Sequence, residues 1–138
     1  MYWNKKERKY VDKMIANSLA RKSPFFRRNL TVNKSITTIK IIKLKNTDSY
    51  VERIAGYSSL DENICFLIEH VKKFDTFFFN TKIDLVATDM YHKAIMVIHD
   101  LVPDTIPSLP KETRNIWVLS VGTILTHNIK LKDCVSTH

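Results

Sequence analysis

Residues 71–89, VKKFDTFFFNTKIDLVATD, limit the fold more than any other stretch of the chain. Phe74, Phe77, Phe78 and Phe79 fall within six residues, and Ile83-Asp84 then opens a second apolar run. Successive side chains of a strand point to opposite faces, so three consecutive phenylalanines place rings on both. A strand that is apolar on both faces belongs to an interior. The pattern predicts two buried strands, over 74–80 and 84–89, that meet at one polar position, Asp84. Exposed rings beside Lys72, Lys73 and Lys82 would instead form a base-stacking platform. The two-faced apolar character favours the core.

The flanking segments read as more strands. Ile36, Ile39, Ile41, Ile42 and Leu44 interleave with Thr and Lys, which predicts a strand from Ser35. Ser49-Tyr50-Val51-Glu52 has the form of a capping box and Gly56 is a plausible stop, so a short helix is expected over 49–55. Further strands are expected at 64–69, 93–99 and 116–121. Pro103, Pro107 and Pro110 make 101–113 an irregular loop, and Gly122-Thr123 a turn. Residues 125–131 fit helix or strand. Short, closely spaced strands with few helices indicate a mainly β fold, a sandwich or an open barrel.

The N-terminal part differs. Trp3, Tyr10, Met14 and Leu19 share one stripe at helical spacing over 2–22, and lysines occupy much of the remainder until Pro24. Residues 1–30 hold nine Lys/Arg against Glu7 and Asp12, a net +7 of the +8 carried by the chain. Residues 31–138 are nearly neutral. The expected organisation is a basic amphipathic helix and connector over 1–34 and a β-domain over 35–138 that folds without residues 1–30. Lys5, Lys6, Lys9, Lys13, Arg27 and Arg28 are the candidate contacts for an anionic surface, for nucleic acid or for an acidic protein partner. The competing reading is a solvated helix face.

Most chemistries are disfavoured. With only Gly56 and Gly122 in the chain, no glycine-rich phosphate loop forms, so no nucleotide cofactor held that way is expected. No serine lies in a G-x-S-x-G elbow. The five histidines lack metal-pair spacing, and no metal is expected. His99-Asp100 is a carboxylate-oriented imidazole at most. Cys65 sits in an apolar strand as a small hydrophobe, and Cys134 is far from it in sequence. A disulfide between them is not excluded by sequence, although their spacing suits a reducing compartment. No run of 18 apolar residues spans a membrane, and the basic N-terminus lacks the apolar segment of a signal peptide. A cytoplasmic protein is expected.

The candidate polar site is Arg53, Asp75 and Asp84. Asp84 opens an apolar strand and needs a partner there. Arg53 is one such partner, since a guanidinium grips a carboxylate through two hydrogen bonds. Asp75 and Asp84 on neighbouring strands would form an acid–base pair if they converged.

These elements, in this order, resemble the uncharacterised bacterial family known as domain of unknown function 192. Family members carry an Arg-x-x-Gly-Leu turn, here Arg53-Ile54-Ala55-Gly56-Tyr57. An apolar strand follows, then a His-Thr-Phe-Phe-Met-like segment, here Asp75-Thr76-Phe77-Phe78-Phe79, leading into Ile83-Asp84-Leu85-Val86-Ala87-Thr88-Asp89. The Val-Leu-Glu-x-x-x-Gly-Thr motif is matched with two residues fewer by Val118-Leu119-Ser120-Val121-Gly122-Thr123, and the closing Gly-Asp-x-Val by Lys132-Asp133-Cys134-Val135. The resemblance covers about residues 36–135 and implies a small jelly-roll-like β-sandwich. Asp75, Phe79, Ser120 and Lys132 replace the family's usual His, Met, Glu and Gly, so a site built on that His and Glu is missing here.

The expectation is a small non-catalytic binding or accessory β-domain. The alternatives are a hydrolase-like enzyme using Asp75 and Asp84 with His99, and a weak binder of nucleic acid or anionic surfaces through residues 1–30.

Overall fold

Val, Ile, Leu and Phe dominate the runs between turn residues, and β-branched side chains pack well on a pleated surface. In the computed structural model, which describes residues 28–44, 63–77 and 79–138, these runs are strands. They are β1 (Asn29–Val32), β2 (Ser35–Leu44), β3 (Ile64–Glu69), β4 (Ile83–Thr88), β5 (Ala94–Leu101), β6 (Asn115–Ser120) and β7 (Val135–Thr137), with a short helix α1 (Thr123–Thr126) between β6 and β7. The fold is mainly β. The strands form one seven-stranded open sheet in the order β5-β4-β6-β3-β2-β1-β7. Every pairing is antiparallel except β2 with β3, where Lys40 lies opposite Ile64 and Leu44 opposite Ile68.

The two outermost strands approach each other at one corner. Lys93 and Cys134 form an isolated antiparallel bridge there, and the Ala94 amide donates to the Asp133 carbonyl at 2.8 Å. The sheet thus curls without closing.

Both faces of the sheet are apolar. One carries Ile42, Leu44, Phe66, Ile68, Ile83, Leu85, Ile116 and Val118, and Val71, Phe74, Phe79 and Leu109 from the connections pack on it. The other carries Leu30, Ile39, Ile41, Cys65, Leu67, Val86, Trp117 and Leu119, joined by Ile124 of α1 and by Ile129. The alternation within β3 and β6 is strict, and every residue of β4 and β6 is buried. That is why these strands read as continuous apolar runs.

Several expectations need correction. The described residues of 74–80 are not in a strand. Thr76, fully buried, ties them to the proline-rich loop: its amide donates to the Thr105 carbonyl at 2.9 Å and its carbonyl accepts from Asp104 at 3.0 Å. The Thr76 hydroxyl donates to the carbonyl of Val102 (2.9 Å) and accepts from the amide of Thr105 (2.9 Å). Phe74 and Phe79 fold inward with ring centres 5.9 Å apart, edge to face. Phe77 is 42% exposed. Apolar character buried Phe74 and Phe79, but the backbone between them bonds to the proline-rich loop at Asp104 and Thr105 instead of to a strand.

The sheet also begins before Ser35. Asn29–Val32 is β1 rather than a connector, Leu30 is fully buried and its carbonyl accepts the Thr37 hydroxyl at 2.7 Å. The boundary at 34/35 therefore cuts a hairpin, and removing residues 1–30 removes part of the core. Of residues 125–131, Leu125 and Thr126 end a helix that starts at Thr123 and the rest are turn and loop, and β7 is a strand the sequence did not signal. The helices expected over 2–22 and 49–55 lie outside the described residues.

Candidate functional site

Asp84 is the second residue of β4, faces Leu119 across the β4–β6 ladder and is fully buried. The β4–β5 register slips at this point, because Ile83 lies opposite Leu101 while Leu85 lies opposite Ile98. Two residues of β5, His99 and Asp100, therefore stand against Asp84 alone. Such a bulge leaves a backbone donor off the ladder, and Asp100 takes a positive φ of 52°. The carboxylate supplies the lost acceptor: the Asp100 amide donates to Oδ1 at 3.1 Å.

Its other oxygen holds α1. The N-cap residue of α1 is Gly122, with φ 91° and no side-chain cap. The first amides of a helix have no intrahelical partner and usually find an Asp, Ser or Thr just before them. Here the Ile124 amide donates to Asp84 Oδ2 at 2.9 Å, forty residues away in sequence. Beside it, the hydroxyls of Ser120 and Thr123 are hydrogen-bonded at 2.8 Å. One buried carboxylate therefore pins β4, the bulge of β5 and the start of α1. Two charge-assisted bonds meet the need of a buried anion.

Asp75 does not join it. Asp75 is half-buried, and its Oδ1 accepts the amide of Phe77 at 3.2 Å, a local turn. No hydrogen bond connects Asp75 to Asp84. His99 and Asp100 are exposed on the bulge. Arg53, the third member of the expected polar site, lies outside the described residues, as do Lys5, Lys6, Lys9, Lys13 and Arg27. Arg28 is exposed, and its carbonyl accepts the Ile41 amide where β1 begins. Lys72, Lys73 and Lys82 are exposed as well, but with Phe74 and Phe79 buried the described aromatic rings make no stacking platform.

Both cysteines are free thiols. Cys65 is fully buried in β3, and burial pushes its thiol well above the ordinary cysteine range, so it stays protonated and unreactive. Among the described residues no group of three or more His, Cys, Asp or Glu is placed to hold a metal ion, and no helix is long and apolar enough to cross a membrane.

Sequence reasoning singled out Asp84 but not its partners. Asp100 and Ile124 contribute backbone amides, which leave no trace in the identity of a residue. Thr76 was missed too. A threonine between Asp and Phe gives no sign that its hydroxyl will serve two loops.

No family model and no curated protein matches the chain. Two solved structures share its fold. A protein of unknown function from Novosphingobium aromaticivorans DSM 12444 superposes with a TM-score of 0.66 at 13% identity, over 78% of this chain and 82% of that one. A putative transcription regulator from Sinorhizobium meliloti 1021 superposes with a TM-score of 0.68 at 9% identity, over 80% of this chain and 91% of that one. At such identities the likeness concerns fold alone.

Proposed function

We propose that the chain is a small, non-catalytic binding or accessory β-domain of the kind found in the bacterial family of unknown function 192, working in the cytoplasm. The observation that carries this reading is the use of the carboxylates. Asp84 is enclosed and both its oxygens are engaged by backbone amides 16 and 40 residues away. Asp75 shapes its own turn. An acid–base pair needs two groups that reach one substrate and differ in environment, and Asp84, enclosed with both oxygens engaged, is not free to be one of them. The order of the strands and their motifs supports the family reading. The presence of apolar clusters on both faces supports a jelly-roll-like sandwich, because each face needs a covering layer.

The test is turnover of p-nitrophenyl esters and phosphates by the full chain beside the Asp75→Asn and Asp84→Asn variants. No turnover above buffer is expected from any of them. Hydrolysis by the parent chain that disappears in Asp75→Asn at an unchanged melting temperature would make the protein an enzyme.

A second reading, weak binding of nucleic acid or an anionic surface through residues 1–30, is favoured by their net charge of +7. Such binding would weaken steeply with salt.

A further inference from the structure

The corner where the two edge strands meet gathers three turns. The β1–β2 turn contributes Asn33 and Lys34, the β4–β5 turn Asp89–Lys93, and the segment before β7 Lys130–Cys134. Backbone bonds lock them together. The Asn33 amide donates to the Cys134 carbonyl, the Val135 amide to His92 and the Lys132 amide to Ala94, each at 2.8 Å. The convergence is tertiary, since about 100 residues separate the first turn from the last.

The side chains on these turns are of two kinds. Tyr91 (70%), Met90 (61%) and Leu131 (60%) are among the most exposed large apolar residues described, and Ile36 (54%), in β2 just past the first turn, is exposed as well. Lys34, Lys93, Lys130 and Lys132 are exposed beside them, and none forms an ion pair within the described residues. The acidic groups of the corner are turned to the backbone instead. Asp89 Oδ1 accepts the amides of Tyr91 (2.8 Å) and Lys93 (3.0 Å), and Asp133 Oδ2 accepts the amide of Lys130 (2.8 Å). Residues 31–138 are nearly neutral overall, and four lysines against the two carboxylates Asp89 and Asp133 make a local excess of positive charge at this corner.

Exposed apolar tips rimmed by lysines suit a particular surface. Apolar side chains enter the boundary between headgroups and acyl chains, a tyrosine ring settles at headgroup level, and lysines meet anionic lipid. A nucleic acid would use the lysines but gains little from Met90, Leu131 and Ile36.

We propose that this corner docks the domain on an anionic lipid bilayer. The inference rests on the reading of the chain as a binding domain and assigns a partner to residues outside the N-terminal segment. The experiment is co-sedimentation of the full chain with phosphatidylcholine vesicles and with vesicles containing phosphatidylserine, at low and physiological salt, with a short DNA duplex as a separate arm. Binding is expected to phosphatidylserine vesicles and not to phosphatidylcholine alone. The double variant Lys93→Glu/Lys132→Glu should lower partitioning more than tenfold, since each lysine near such a surface contributes roughly fivefold. Tyr91→Ser/Leu131→Ser should remove the part of the binding that survives at physiological salt, and Lys5→Glu/Lys6→Glu should leave most binding intact. Tyr91, Lys93, Leu131 and Lys132 are exposed, and unchanged melting temperatures of all three variants will show that the fold survives. No vesicle binding, equal binding by parent and corner variants, loss only in the Lys5/Lys6 variant, or tighter binding to DNA than to vesicles would each overturn the proposal. None of these results bears on the hydrolysis assay, which judges the non-catalytic reading by itself.

Discussion

The two ends of β4 solve one problem in opposite ways. At its start, Asp84 gives its oxygens to the amides of Asp100 and Ile124 and is fully buried. Just past its end, half-buried Asp89 gives one oxygen to the amides of Tyr91 and Lys93, two and four residues on. Both carboxylates satisfy backbone donors. The first joins three elements across the chain, and the second shapes a single turn. Sequence separation of the partners, rather than the number of bonds, decides whether a carboxylate holds the fold or only a loop. The local solution leaves the neighbouring side chains facing outward, and the apolar and cationic residues of the corner are displayed there.

The sharpest break of this contrast is Asp84→Ala. Hydrogen bonds to charged groups contribute about 1.5–3 kcal/mol each, so losing two should cost about 3–6 kcal/mol in denaturant unfolding. Hydrogen exchange should accelerate at the amides of Ile124 and Asp100 before it does in β3. A loss below about 1 kcal/mol would show that Asp84 is not the pin described here.

Next in size is a pair from the phenylalanine run. Phe79→Ala should cost about 3–5 kcal/mol, because a buried ring leaves a cavity. Phe77→Ala, at a partly exposed ring, should stay within about 0.5 kcal/mol. Equal melting temperatures for the two variants would contradict their placement on opposite sides of the surface.

Asp89→Ala should cost about 1 kcal/mol, with faster exchange confined to the amides of Tyr91 and Lys93. If that substitution destabilises as much as Asp84→Ala, the distinction between distant and local partners fails.

The smallest effect is chemical. Neutral-pH thiol labelling should modify half-buried Cys134 first and reach Cys65 only on global unfolding, because the buried Cys65 thiol stays protonated. Labelling both at the same rate in the folded chain would place Cys65 outside the core.

Much of this was legible in advance where one strand carries its own pattern. Residues 64–69 were expected as a strand and form β3 to the residue, and the apolar run after Ile83 is β4. Asp84 stood out as the polar break in that run. The run of phenylalanines misled, because burial was correctly expected for Phe74 and Phe79 but the backbone between them is held by Thr76 and the proline-rich loop. Apolar content reports whether a side chain is buried and says little about which backbone conformation buries it. Strands β1 and β7, four and three residues long, are too short for a periodic signal.

What the sequence by itself determined is therefore the mainly β class, most of the strand positions and the identity of the buried carboxylate. These follow from local alternation and from the cost of leaving a charge unpaired in an apolar run. Only the tertiary structure decided the partners of Asp84, the curl that brings Lys93 against Cys134, and the meeting of three turns into one basic, apolar-tipped corner. Those depend on backbone groups and on contacts up to a hundred residues apart. A backbone amide is the same in every residue but proline, so nothing in a local stretch of sequence marks which ones will meet.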